Sequence, residues 1–303
     1  MPSASIAQLM LRARRSGIVI PAFNIPYLPM VEPVVRALKD CNSFGLVMVA
    51  RLEWEKFESG SLEAVRDEYA RFSLPGHTRL HLDHVPVIDE DGLRVDYAGI
   101  IRRAIDAGYE SVMVDGSRLP FSENAACTRT VVDMAHAAGI PVEAELGAVM
   151  GHEAGPLPPY EQLFASGKGF TDPDEARQFV EATRVDWLSV AIGNIHGAIS
   201  AASKGATKVA ARLNIAHLDR IQAQTGIPLV LHGGTGIHKE CIMDSVKHGI
   251  AKINVATAIR QPYERMIAKG VGAAQDAVYA AMLTVIRDDL EVQNSTTLLA
   301  PES

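Results

Sequence analysis

Residues 228–236 read PLVLHGGTG, and this short stretch carries the pattern that decides the fold. An apolar run of strand-forming residues stops at His232, and a glycine-rich turn follows. A run this short and this apolar is typical of a parallel strand that is buried on both faces. It therefore predicts a buried strand with polar groups at its carboxyl end.

The same arrangement recurs along the whole chain. The predicted strands are Ile18–Phe23, Gly45–Ala50, Arg79–Leu82, Ser111–Val114, Pro141–Ala144, Trp187–Ile192, Pro228–Leu231 and Ala251–Ile253. Stretches with helical spacing separate them: Met30–Leu38, Leu62–Phe72, Tyr97–Ala107, Asn124–Ala138, Pro173–Thr183, Val209–Thr225 and Lys239–Lys247. Repeated strand–helix alternation of this kind predicts the α/β class and a closed TIM (β/α)8 barrel. A doubly wound open sheet is the structural alternative.

The remaining segments complete a single domain over residues 1–303. Ser3–Arg14 is expected to form an extra N-terminal helix that closes the barrel bottom, and Ala258–Val292 supplies the last helices. The segment 296–303 is expected to be a loose tail. Gly147–Thr171 is the longest loop, and its glycine and proline content predicts a mobile loop over a site.

Composition excludes several classes of protein. The 303 residues are 48% hydrophobic and 21% charged, which is ordinary globular usage and not that of a disordered, collagenous or coiled-coil chain. The net charge of −7, without a long basic run, argues against a nucleic-acid partner. No apolar run reaches the roughly 18 residues of a membrane helix, and three widely spaced cysteines predict a reducing, cytoplasmic setting.

Histidines and carboxylates follow several of the predicted strands, and in a barrel such strand ends converge on one face. The residues concerned are Asp83, His84, Glu145, His196 and His232. Three imidazoles with a carboxylate suit a divalent metal, most plausibly zinc. The alternative is that each histidine only forms hydrogen bonds in the barrel mouth. His81, three residues before His84, is expected to point to the opposite side of its strand.

Glycine and threonine follow the last two strands, where such barrels usually bind phosphate. Gly233 and Thr235 lie after strand seven, and Asn254 and Thr257 after strand eight. Glycines admit close backbone approach, so that amide N–H groups and threonine hydroxyls can surround an anion. A simple tight turn is the alternative.

From HLDH (81–84) outward, the sequence resembles the class II, zinc-dependent fructose-bisphosphate aldolase family, which includes the tagatose-bisphosphate aldolases. The resemblance runs through residues 5–290 in matching order. It is carried by PAFN (21–24), SVMVDGSRLPFSEN (111–124), VEAELG (142–147), FTDPDEARQFV (170–180), AIGNIHG (191–197), LVLHGGTGI (229–237) and GIAKINVAT (249–257).

The resemblance implies a role for each matching residue. His84, His196 and His232 would bind the catalytic Zn²⁺, and Glu145 would lie near it and could bind a second divalent or monovalent cation. Asp83 would act as acid and base at the aldehyde carbon, and Glu153 would move the proton at the ketone's α-carbon. Asn254 would contact the enediolate. The substrate and its phosphate would be bound by Asn24, Gly197, Gly233, Thr235, Asn254 and Thr257.

The implied reaction is reversible retro-aldol cleavage of a ketose phosphate, of the ketose-bisphosphate type, to dihydroxyacetone phosphate and an aldehyde through a zinc-stabilised enediolate. Such an enzyme would serve carbohydrate metabolism, as in glycolysis, and would be a homo-dimer or homo-tetramer. A zinc-dependent isomerase, epimerase or hydrolase, an aldolase for a non-standard sugar acid, and a non-catalytic sugar-phosphate sensor are the alternatives on the same scaffold.

The sequence departs from the family around the substrate. Residues 50–54 read ARLEW where family members carry a small Ser or Thr, and no Tyr follows Gly197. The loop reads GHEA at 151–154, and 200–212 is an insert. Arg51 is therefore a candidate for binding an anionic group of the substrate, with an ion-paired surface arginine as the equal alternative.

Overall fold

The structure is a computed structural model that describes residues 4–147, 160–194, 211–234 and 237–300. Its strands pair in parallel in chain order, and the first pairs with the eighth, so the sheet is a closed barrel. The TIM barrel is confirmed, and the open sheet is excluded. The strands are β1 (Ile20–Asn24), β2 (Gly45–Ala50), β3 (Thr78–Pro86), β4 (Ser111–Asp115), β5 (Val142–Leu146), β6 (Trp187–Val190), β7 (Leu229–Leu231) and β8 (Ile250–Val255).

Helices surround the barrel, and several of them begin or end where the sequence provides a cap. Asp172 accepts hydrogen bonds from the N–H groups of Asp174 and Glu175 at one helix start, and Gly226 ends another helix in the left-handed conformation. The helices are α1 (Ile6–Ser16), α2 (Val31–Asp40), α3 (Arg51–Lys56), α4 (Leu62–Phe72), α5 (Tyr97–Ala107), α6 (Phe121–Ala137), α7 (Tyr160–Ser166), α8 (Pro173–Thr183), α9 (Ile215–Thr225), α10 (Lys239–Lys247), α11 (Thr257–Met266), α12 (Val271–Thr284) and α13 (Ser295–Leu299).

The barrel bottom is closed by α1, as predicted. Met10 and Ala13 of this helix are fully buried in one apolar cluster with barrel residues such as Leu46 and Trp187. A larger cluster fills the layer between the strands and the outer helices. The rigid barrel formed in this way holds the strand ends that carry the polar residues.

Two segments differ from expectation. Residues 296–300 are not a loose tail, because α13 packs on α1 and Leu299 is buried while Thr296 donates a hydrogen bond to the Asn42 carbonyl. Residues 301–303 lie outside the described ranges. The long loop 147–171 contains α7, and its residues 148–159 also lie outside those ranges. Among the helices of the described ranges, none is both long and apolar enough to span a bilayer.

Candidate active site

Two adjacent residues of β3, Asp83 and His84, lie at the barrel mouth. Neighbouring side chains of a regular strand point to opposite faces. Here the register of β3 against β4 shifts between Leu82 and Val85. Such a bulge breaks the alternation and redirects a side chain. Donor atoms of Asp83 and His84 consequently lie in one group with His232.

The expectation for His81 is wrong for the same reason. His81 and Asp83, two residues apart, are both buried inside the barrel, and His84 joins them only because the bulge lies between. The Nδ1 atom of His81 lies 2.8 Å from Ser111 Oγ, and its Nε2 atom lies 3.6 Å from Glu143. Burial lowers the pKa of His81 to about 3, which keeps the ring neutral.

Two overlapping donor groups in the mouth have the composition of a metal site. One consists of Asp83, His84 and His232, and the other of His84, Asp115 and Glu145, with ligand atoms within 4.8 Å of one another in each group. The His84 and His232 rings are 4.5 Å apart between centroids. Imidazole nitrogens with carboxylate oxygens are the donors of catalytic zinc, so these residues fit the predicted cation. His196 lies outside the described ranges.

A buried ion pair beneath the mouth orients the His232 ring. Glu143 Oε1 lies 2.8 Å from His232 Nε2, and Lys252 Nζ lies 2.9 Å from Glu143 Oε2. An ionised carboxylate only accepts hydrogen bonds, so His232 Nε2 carries the proton. Its Nδ1 atom faces the mouth, 3.1 Å from Glu145 Oε2.

Two asparagines hold the Asp83 carboxylate. Asn24 Nδ2 donates to Oδ2 and Asn254 Nδ2 donates to Oδ1, both at 3.0 Å. Lys252 in turn donates to Asn254 Oδ1 at 2.7 Å, which fixes the direction of that amide. Burial alone would raise the pKa of Asp83, but the neighbouring positive charges, His84 first, lower it to about 2. Asp83 is therefore an ionised hydrogen-bond acceptor at neutral pH.

The glycine-rich turn after β7 lies at the same end of the barrel. Gly233 has a φ of +68°, a conformation that favours glycine, and a Cβ on Gly234 would lie 2.8 Å from Ile253 Cδ1. Thr257 is the first residue of α11 and so lies at the end where the first backbone N–H groups of a helix point away from it. Thr235, Gly197 and Glu153 lie outside the described ranges.

Arg51 begins α3 and has two acidic neighbours. Its guanidinium lies 3.6 Å from the Asp89 carboxylate and 3.7 Å from that of Glu55. These contacts agree with the ion-paired interpretation, and an anion-binding role stays a prediction.

Glu53 is a site residue that the sequence analysis missed. It is 7% exposed, and its Oε2 accepts hydrogen bonds from the Ala50 N–H at 2.8 Å and from Asn24 Nδ2 at 3.3 Å. Burial, with the nearby charge of Asp83, raises the pKa of Glu53 to about 8. The sequence signal for such a role is a capping box, in which a Ser or Thr precedes the helix and a Glu follows three residues later. Here Glu53 occupies the second position, but Ala50 occupies the first, so the pattern is not recognisable from sequence.

Comparison with known proteins agrees with this geometry. The family described as "Fructose-bisphosphate aldolase class-II" matches residues 4–296. A fructose-bisphosphate aldolase of Staphylococcus aureus is 32% identical, over 99% of this chain and 92% of the relative. A probable fructose-bisphosphate aldolase of Bacillus subtilis is 31% identical, over 95% and 98%. The crystal structure of the YdjI aldolase from Escherichia coli K12 superposes with a TM-score of 0.76 at 26% identity, covering 97% of this chain and 99% of that one.

The barrel and its relatives define the class of protein as an aldolase, a carbon–carbon lyase. The chain belongs to the class II fructose-bisphosphate aldolase family.

The contact between Glu143 and His232 yields a prediction for metal binding. Glu143→Gln replaces the obligate acceptor by an amide, so the His232 tautomer is no longer fixed. We expect zinc affinity to fall about 10- to 100-fold, as for other partners of metal-bound histidines. Competition with a chromogenic chelator measures it. Glu110→Gln, which removes the partner of Arg79 far from the mouth, is the matched control. Unaltered zinc affinity in Glu143→Gln would contradict the assignment.

Glu53 yields a prediction for stability against pH. Its folded pKa of about 8 exceeds the ordinary value of 4.5, so the folded state binds the extra proton between these values. Stability that depends on Glu53 is therefore present at low pH and is lost as pH rises towards 8, by about 1.4 kcal/mol per pH unit at the steepest. Urea unfolding of chelator-treated wild type and Glu53→Gln at pH 5 and 8.5 tests this. A stability difference that does not change with pH would show that Glu53 ionises normally.

Proposed function

We propose that this chain catalyses reversible retro-aldol cleavage of a ketose phosphate to dihydroxyacetone phosphate and an aldehyde. The observation that carries the proposal is the placement of Asp83. Its carboxylate is held by two amides and lies in one donor group with His84 and His232. A base next to a metal site is the arrangement that deprotonation of a sugar hydroxyl needs.

The cofactor in this proposal is Zn²⁺. His84 and His232 would bind it together with His196, and Glu145 would lie beside it or take a second cation. When bound, the ion supplies Lewis-acid stabilisation of the negative charge that develops on the substrate's oxygens. Histidine nitrogens in the donor group favour zinc over the harder cations Mg²⁺ and Ca²⁺.

The chain's own groups handle the protons and the phosphate. Asp83 accepts the proton of the C4 hydroxyl, and the asparagine hydrogen bonds keep its carboxylate aimed during the transfer. Glu153 moves the proton at the ketone's α-carbon. The phosphate lies against the backbone of Gly233 and the N-terminal end of α11 at Thr257, with Gly197 and Thr235 completing its site. Asn24 and Asn254 contact the substrate from either side of Asp83.

Product analysis separates this reaction from isomerisation or epimerisation, because only an aldolase yields two carbon fragments. Homo-dimeric or homo-tetrameric assembly and a cytoplasmic location stay predictions of the family resemblance.

Removal of one imidazole tests the metal assignment. His232→Ala deletes a zinc ligand, so we expect zinc content to fall well below one equivalent and cleavage to fall with it. Metal analysis, far-ultraviolet circular dichroism and a product assay measure the outcome, and His77→Ala, whose ring contacts the Ser43 carbonyl, is the control. Dialysis of wild type against a chelator should abolish cleavage, and added Zn²⁺ should restore it. Full zinc content in folded His232→Ala would refute the ligand role.

A substitution at Asp83 separates proton transfer from metal binding. Asp83→Asn keeps the shape of the side chain but removes its basicity, so kcat should fall about 10²- to 10⁴-fold while zinc content is retained. Single-turnover cleavage together with metal analysis provides both values. If zinc were lost with the substitution, Asp83 would be a ligand and not the base.

A further inference from the structure

The carboxyl group of Glu53 shares one amide nitrogen with Asp83. Asn24 Nδ2 donates to Asp83 Oδ2 at 3.0 Å and lies 3.3 Å from Glu53 Oε2. Glu53 follows β2, which lies two strands from β8 and three from β7 around the closed barrel. Consider a substrate whose phosphate lies at the loops after β7 and β8 and whose C4 hydroxyl reaches Asp83. Its remaining carbons then extend towards β2, because β2 is paired with β3, the strand that carries Asp83. Glu53 is thus placed at the aldehyde half of the substrate.

One oxygen of Glu53 remains available for a ligand. Oε2 accepts both hydrogen bonds, from the Ala50 N–H and from Asn24. Within residues 4–147, 160–194, 211–234 and 237–300, no hydrogen bond or ion pair reaches Oε1. Helix capping therefore explains the position of Oε2 and leaves the role of Oε1 unexplained. A polar atom in a mostly buried carboxyl favours a hydrogen-bonding partner.

The charges on this side of the mouth do not suit a second phosphate. Arg51 is the nearest described cation along the chain, and the carboxylates of Glu55 and Asp89 already flank it. Arg260, which lies over the Phe57 ring just after α3, is likewise paired with the Glu264 carboxylate. A phosphate beyond Asp83 would meet the carboxyl groups of Glu53 and Asp83, and the guanidinium groups of Arg51 and Arg260 near α3 already have carboxylate partners.

We propose that Glu53 is a specificity-determining residue that hydrogen bonds hydroxyl groups of the aldehyde half, so that the enzyme prefers ketose 1-phosphates with an unphosphorylated distal end over ketose bisphosphates. The inference rests on the proposed aldolase function. A carboxyl group serves a hydroxyl in either protonation state, since the ionised form accepts a hydrogen bond and the neutral form also donates one. The raised pKa of Glu53 adds the donor at neutral pH.

The test uses the reaction in the direction of carbon–carbon bond formation. Zinc-loaded protein is given dihydroxyacetone phosphate with either racemic glyceraldehyde or racemic glyceraldehyde 3-phosphate, and kcat/KM is measured for each aldehyde. Wild type should favour glyceraldehyde at least tenfold. Glu53→Ser should lower that ratio at least tenfold, mainly through a higher KM for glyceraldehyde, whereas Glu53→Gln should keep most of the preference.

The ratio of the two aldehydes separates recognition from folding. Loss of the helix cap alone would lower both rates in parallel and leave the ratio unchanged. Asp89→Asn, which frees Arg51 from one carboxylate, should improve use of the phosphorylated aldehyde. Glu63→Gln, on α4 in the exposed pair with Arg103 of α5, is the control and should leave both rates unaltered.

The results distinguish failure of the specificity inference from failure of the proposed function. A wild-type preference for glyceraldehyde 3-phosphate, or a ratio that Glu53→Ser does not move, would overturn the inference while leaving the aldolase function intact. Failure of both aldehydes, and of non-phosphorylated and phosphorylated analogues of other chain lengths, to form product would instead reject the proposed function itself.

Discussion

The buried ion pair between Glu143 and Lys252 is the contact on which the arrangement of the mouth depends. Both side chains are fully buried inside the barrel, where most TIM barrels place branched apolar residues. Glu143 also accepts a hydrogen bond from Trp187 Nε1 at 2.7 Å. Lys252 and the adjacent histidines hold the pKa of Glu143 well below its usual value despite burial, so the carboxylate stays charged. A charge in that position is stable only while its partners remain in place.

This pair connects two groups that would otherwise be independent. On one side Glu143 sets the proton of His232, and on the other side Lys252 sets the amide of Asn254, which holds Asp83. The proposed metal ligand and the proposed proton acceptor are therefore oriented from a single rigid point in the barrel. Positioning of this kind matters because misplacement of a reacting group by about 1 Å can cost two orders of magnitude in rate.

The sequence predicted the fold well because its signals are local. Apolar runs with polar ends and amphipathic stretches between them are visible in one dimension, and several predicted helices, such as 62–72 and 97–107, match the observed bounds. The barrel predicts that Asp83, His84 and His232 lie at one end, whereas the bulge in β3 is what brings both Asp83 and His84 into one donor group. The orientation of His81 did not, because it depends on a bulge whose register is set by the neighbouring strand.

Glu143 and Glu53 were missed for a related reason. Glu143 lies within the apolar run that predicts β5, where alternation alone does not distinguish a buried ion from a surface residue. Glu53 becomes part of the site only through Asn24, which is 29 residues away in sequence. Contacts between side chains of separate strands require the closed barrel, whose interior distances no spacing rule supplies.

Asp83 stands at the boundary between two halves of the mouth. Asn254 holds it from the side of β8, where Lys252 and the glycine-rich turn lie, and Asn24 holds it from the side of β1, where Glu53 lies. The proposed phosphate loops belong to the first half, and the stretch 50–54 that departs from the family belongs to the second. Asn24 lies between Glu53 and Asp83. Substitutions in the residues after β2 would therefore change the side chains next to the proposed reacting carbon without changing the candidate metal donors. Under the proposed function, the same groups for breaking a carbon–carbon bond would thus serve a different aldehyde.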